Sequence, residues 1–97
     1  MPFLYDFAVP AIPRGQEMAI FENWELAERD PVSAAGTAIA TIRVGERRFR
    51  ILANGDAFLW KKMVRPGEKI RSTQVLGKLA ADGENIPYGR PYSFLEI

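Results

Sequence analysis

The residues of this chain best suited to recognising another molecule are arginines crowded into one short stretch. Arg43, Arg47, Arg48 and Arg50 stand on either side of Gly45-Glu46. A guanidinium fork matches the geometry of carboxylates and phosphates, so the cluster suits an anionic partner. The expected partner is a protein with an acidic surface, contacted by Arg43, Arg47 and Arg48. The bland alternative is that charge at a turn simply keeps the turn solvated. Nucleic acid is not expected, because Phe49 is the one aromatic in the cluster and faces the core, leaving no base-stacking platform. Two carboxylate pairs, Glu22/Glu25 and Asp82/Glu84, have acid–base composition but lie on a strand and in a turn with no aligned partner. With no His and no Cys in the chain, the commonest general base, the commonest metal ligand and all thiolate chemistry are absent. No catalytic or metal-binding residue is assigned, and the expected role is non-enzymatic.

The element that must present the arginines is a β-hairpin. Ile39 to Val44 and Phe49 to Leu52 are β-branched or apolar runs separated by Gly45-Glu46. Glycine at the first central position suits a two-residue type II′ turn. Counting outward from it pairs Val44 with Arg47, Arg43 with Arg48 and Ile42 with Phe49. Apolar pairs then hold the base while arginines crowd the tip, at a small cost in like-charge repulsion.

The rest of the chain has to be one small domain. Its 97 residues leave nothing over for a second, and the 47% hydrophobic content is enough for a single core without staples. The net charge of +1 supplies no global field toward nucleic acid or anionic membrane, so any basic surface is local. The N-terminal residues lack a signal-peptide pattern and no apolar run approaches a membrane span. Cytoplasmic location and no membrane partner are the expectations.

Strand and turn signals alternate along the whole length. Residues 1–14 read as an edge strand or extended arm, because Pro10 and Pro13 cannot donate to a ladder. Ala19 to Leu26 follows as a strand with Ile20, Trp24 and Leu26 on one parity, and 27–36 as a loop with a short strand at Val32. Ala57 to Val64, Lys69-Ile70, Gln74 to Leu79 and Tyr92 to Ile97 complete the set. No helix is expected, and turns every 8 to 16 residues or so predict an all-β sandwich or small barrel. Trp24, Ile42, Phe49, Leu59, Val64, Leu76 and Leu95 are the predicted core. Phe58, Trp60, Tyr92 and Phe94 also read as core aromatics, with Tyr88 to Tyr92 the most exposed aromatic stretch.

The chain also repeats itself. Val64-x-x-Gly67-Glu68-x-Ile70, then Gln74-x-Leu76-x-x-Leu79, has a counterpart in Leu26-x-x-x-Asp30-x-Val32, then Thr37-x-Ile39-x-x-Ile42, with one residue inserted before Gly36. A half-copy runs from Gly83 to Leu95. Two copies related by a two-fold axis, with the hairpin at the crossing, would close a sandwich.

In these features the chain resembles the lipoyl/biotinyl domain family, the barrel-sandwich hybrids, and most closely the lipoyl domains of dihydrolipoyl acyltransferases. The family's opening is echoed by Val9-Pro10-Ala11-Ile12, Met18-Ala19-Ile20, Trp24, Asp30 and Val32. Its second half is echoed by Asp56-Ala57-x-Leu59 and Val64 to Leu79, and the tail of some members by Ile86 to Pro91. The resemblance implies a single lipoyl/biotinyl-like domain over 1–97, with an added C-terminal half-repeat. In the family the hairpin tip carries the lysine that takes lipoate or biotin. Here Glu46 stands at that position, or Gly83 if residues 57–79 are taken as the first half, and no lysine lies in residues 1–60. Neither residue can form the cofactor amide, so no lipoate or biotin is expected. Several family glycines are replaced, by Ala19, Arg29, Ala57 and Thr73, which implies a divergent turn at residue 29.

The expected function is therefore an unmodified binding or accessory module, associated with a ketoacid dehydrogenase or biotin-dependent carboxylase system. One alternative is a cofactor carrier modified at an unexpected lysine, such as Lys62 or Lys69. Lys61-Lys62-Met63 looks like a biotinylation sequence but lies in a strand, where solvent-facing or edge-protecting lysines are ordinary. A second alternative is a small-barrel anion or nucleic-acid binder that uses the arginine hairpin.

Overall fold

The computed structural model describes residues 3–9, 11–33, 36–53, 55–81 and 92–97. In chain order the strands are β1 (Phe3–Ala8), β2 (Met18–Trp24), β3 (Pro31–Val32), β4 (Ala38–Val44), β5 (Arg47–Ala53), β6 (Ala57–Lys62), β7 (Lys69–Arg71), β8 (Val75–Ala81) and β9 (Tyr92–Glu96). The helical geometry among the described residues is a single 3-10 turn, Pro13–Gly15. All pairings among the described residues are antiparallel. They build a four-stranded sheet in the order β1-β8-β6-β3 and a five-stranded sheet in the order β7-β2-β4-β5-β9. No helix among the described residues is long and apolar enough to cross a membrane. Among the described residues β1 lies at the edge of its sheet, paired with β8.

The internal repeat governs the pairing. The first copy contributes β2, β3 and β4, and the second β6, β7 and β8. β2 pairs with β4 as β6 pairs with β8. The short strands are exchanged: β3 pairs with β6 of the second copy, and β7 with β2 of the first. Bonds at the exchange recur in both copies. The Arg29 amide donates to Leu59 O and the Leu59 amide to Asp30 O; the Gly67 amide donates to Phe21 O and the Phe21 amide to Glu68 O. Each copy therefore satisfies backbone groups that the other would leave unpaired, and neither can close its sheet alone.

Facing sides of the sheets supply the core. Phe7, Phe21, Ile39, Ile42, Ile51, Leu59, Ile70 and Leu76 are fully buried, with Phe49 and Val64 nearly so. Trp24 is half-buried against them, held by its indole N–H donating to Val64 O at 3.0 Å. Its route inward differs from simple alternation. Ala19 and Phe21 point into the core and Ile20 away from it, and a bulge between Phe21 and Asn23 then resets the parity so that Trp24 returns to the inner side.

Three other expectations are corrected. Leu95 is 49% exposed, because β9 pairs Leu95 with the outward Arg50 and turns Phe94 inward instead. Phe58 and Trp60 are also outside the core: Phe58 sits opposite Ala80 on the outer face, and Trp60 is the extra residue of a bulge between Leu59 and Lys61. Tyr92 is buried edge-on to Phe7 and is not an exposed aromatic. Residues 88–91 of that aromatic stretch lie outside the described residues, as do Asp82, Gly83, Glu84 and the rest of the half-repeat before Tyr92.

Candidate functional site

The hairpin forms as turn chemistry predicts. Gly45 takes φ 62° and Glu46 is not among the positive-φ residues, the combination a type II′ turn requires. Val44 opposes Arg47, Arg43 opposes Arg48, and Ile42 opposes Phe49. Glu46 stands exposed in the turn itself.

The structure distributes the arginines unequally. Arg47 pairs with Glu96 of β9 at 3.0 Å, and Arg48 with Glu22 of β2 at 2.6 Å. Arg50 lies near Glu25, where its charge helps to keep that carboxylate ionised. Arg43 is exposed and makes no ion pair among the described residues. The Arg48–Glu22 bridge relieves the repulsion between Arg43 and Arg48 that the register imposes, and exposed bridges of this kind add little further stability.

Cross-strand neighbours of Arg43 extend the basic surface beyond the hairpin. Ile20 opposes Arg43 on one side and Lys69 on the other, and Met18 opposes Arg71. Directly opposed residues share a face in an antiparallel sheet, so Lys69, Ile20, Arg43 and Arg48 form one row on the outer side of the five-stranded sheet. Between the cations lies a shallow cleft of about 260 Å³, lined by Met18, Ala19, Ile20, Arg43, Gly45 and Lys69. A neighbouring cleft of about 320 Å³ is lined by Arg14, Gln16, Val44, Gly45, Glu46 and Arg47. The two adjoin at Gly45. Lys69, Arg71, Met18 and Ile20 were not legible as site residues from local spacing. The repeat implies only that β7 pairs as β3 does; that β3 joins β6, and so β7 joins β2, is decided by the tertiary structure.

The acids on this face are already engaged. Glu22 is held by Arg48. Glu25 accepts the Thr41 hydroxyl at 2.5 Å and the Asn23 amide at 3.1 Å. The Thr41 bond, opposed in part by burial and helped by Asn23 and the nearby arginines, holds the Glu25 carboxyl below its ordinary range. Both carboxylates act as acceptors in place. Burial, with Asp6 nearby, pushes the Tyr92 phenol well above its ordinary range. Among the described residues no cluster of Asp or Glu could hold a metal ion. The arrangement is suited to binding an anion, through cations fixed to rigid strands.

Lys62 is half-buried with its ammonium 5.9 Å from the Trp24 ring centroid, and Lys61 is exposed on the outer face of the four-stranded sheet. No family model matches the chain, and no curated protein matches it in sequence.

Proposed function

We propose that this chain is a non-enzymatic, cofactor-free binding or accessory module built as a lipoyl/biotinyl-like barrel-sandwich hybrid. The observation that carries the reading is the exposed turn at Gly45-Glu46, which joins β4 of the first copy to β5. In the family that the sequence resembles, the modified lysine stands at this turn. A carboxylate there cannot form the amide to a cofactor acid, so the tip has no point of attachment. The exchange of β3 and β7 between the sheets supports the barrel-sandwich architecture. Arg43 and Arg48 share the outer face of the hairpin and support a role in contacting an acidic protein, whereas Arg47 opposes the buried Val44 on the other face and is paired with Glu96.

Intact mass of the protein purified from its own host tests the proposal. The expected result is a species without a lipoyl or biotinyl adduct. An adduct would overturn the reading in favour of a carrier, and peptide mapping would then assign it among Lys61, Lys62, Lys69 and Lys78.

A further inference from the structure

We propose that the outer face formed by β7, β2 and β4, centred on Arg43 and Lys69, docks an acidic amphipathic segment of a protein partner. This rests on the binding-module reading and gives its partner a chemistry. Strands lie about 4.8 Å apart in a sheet. The backbones carrying Lys69 and Arg43 are therefore separated by about 10 Å, with the half-buried Ile20 between them. Met18 is 43% exposed beside it, and Gly45 leaves the hairpin end of the cleft open. The result is two cations flanking an apolar floor. Arg71, opposite Met18, continues the positive charge along the edge strand.

Charge complementarity names the occupant. The chain is nearly neutral overall, but on this face the acids Glu22 and Glu25 are occupied by Arg48, Thr41 and Asn23. Arg43, Lys69 and Arg71 form no ion pair among the described residues. Each is exposed and available to an approaching anion, whose attraction is screened over a Debye length of about 10 Å. A compact phosphate would need donors that converge, whereas these cations stand apart across Ile20. Carboxylates alternating with apolar side chains fit that spacing, with the acids reaching Arg43 and Lys69 and the apolar group covering Ile20 and Met18. Nucleic acid fits less well, because no aromatic residue lines the cleft to stack a base.

The test uses the 97-residue chain in a preparation whose intact mass carries no adduct, so failure of the cofactor-free reading and failure of this one are separate results. The probe is a labelled synthetic peptide of alternating Glu and Leu, compared with peptides carrying Gln for Glu or Ser for Leu, and with oligothymidylate. The expected order is Glu–Leu tightest, Glu–Ser weaker and Gln–Leu weakest, with affinity falling as salt rises. The double charge reversal Arg43→Glu, Lys69→Glu should weaken the Glu–Leu peptide by about tenfold or more, whereas Lys61→Glu on the opposite sheet should leave it unchanged. If the double variant does not fold, amide shift mapping on the wild-type protein decides, and perturbations must centre on Met18–Ile20, Arg43 and Lys69–Arg71. Equal binding of the Gln–Leu peptide, wild-type affinity in the folded double variant, shifts centred elsewhere, or tighter binding of oligothymidylate would each overturn the proposal.

Discussion

Arg29 and Gly67 occupy the same place in the two repeats, and both adopt left-handed backbone, with φ of 77° and 93°. Each donates its amide to a fully buried residue of the other copy, Arg29 to Leu59 O at 2.5 Å and Gly67 to Phe21 O at 2.7 Å. The turn conformation is thus imposed by the inter-copy bonds, whichever residue occupies it. Arg29 offsets part of its strain by placing its guanidinium 3.7 Å from the Trp60 ring centroid. Thr73, at φ 66°, is in the same backbone region without such a stack.

The contrast predicts unequal responses to glycine. A left-handed L-residue costs roughly 1–2 kcal/mol, and an exposed cation–π contact returns roughly 0.5–1 kcal/mol. Arg29→Gly should change stability by less than about 0.5 kcal/mol, because strain relief is offset by loss of the stack together with the greater freedom glycine gives the unfolded chain. Arg29→Ala keeps the strain and loses the stack, and should cost about 1 kcal/mol. Thr73→Gly should stabilise by up to about 1 kcal/mol. Urea titration of the three variants checks the order.

Core and surface leucines should separate cleanly. Leu59 is fully buried, and truncation to Ala should cost about 2–5 kcal/mol with a visibly lower melting temperature. Leu95→Ala should shift stability by less than about 0.5 kcal/mol, since Leu95 projects from the outer face. Equal melting shifts for the two variants would contradict the register of β9.

Gly77 is required by close approach. A Cβ at this position would lie 2.4 Å from the Lys61 carbonyl oxygen and 3.2 Å from the Trp24 ring. The nearer atom is backbone of the neighbouring strand and cannot rotate away. Gly77→Ala should therefore cost at least about 2 kcal/mol and displace Trp24, read as a shift in its fluorescence together with the melting curve.

The Thr41–Glu25 bond links stability to pH. Its carboxyl titrates below the ordinary value of 4.5 in the folded protein, chiefly through the buried Thr41 hydroxyl. A depressed folded pKa contributes stability that is present above the unfolded pKa and is lost as pH falls through the folded value. Thr41→Val removes the donor, so the Glu25 pKa should rise toward 4.5 in an NMR titration. The variant should be about 1 kcal/mol less stable at neutral pH, with the difference from wild type shrinking in acid. An unmoved Glu25 titration would show that the arginines, not Thr41, set its charge.

The sequence by itself determined whatever depends on short-range chemistry. Gly45-Glu46 dictates a tight turn, the turn sets the pairing of Val44, Arg43 and Ile42, and β-branched runs between Gly, Pro and Asn signals become strands. The repeat was legible because equivalent hydrophobic positions recur at nearly constant spacing. What the sequence did not settle depends on residues far apart in the chain. Trp24 and Trp60 are placed by bulges, which arise from mismatch with the facing strand and leave no local mark. Phe94, and not Leu95, faces the core because β9 aligns with β5, a choice that alternation in an isolated five-residue strand leaves open. Left-handed backbone at Arg29 and Thr73 follows from hydrogen bonds closed by the other copy or by β1's extension at Val9, against the residues' own preference. Arg43 meets Lys69 across Ile20 only because the short strands are exchanged between sheets. That juxtaposition is a property of long-range pairing, which the tertiary structure alone decided.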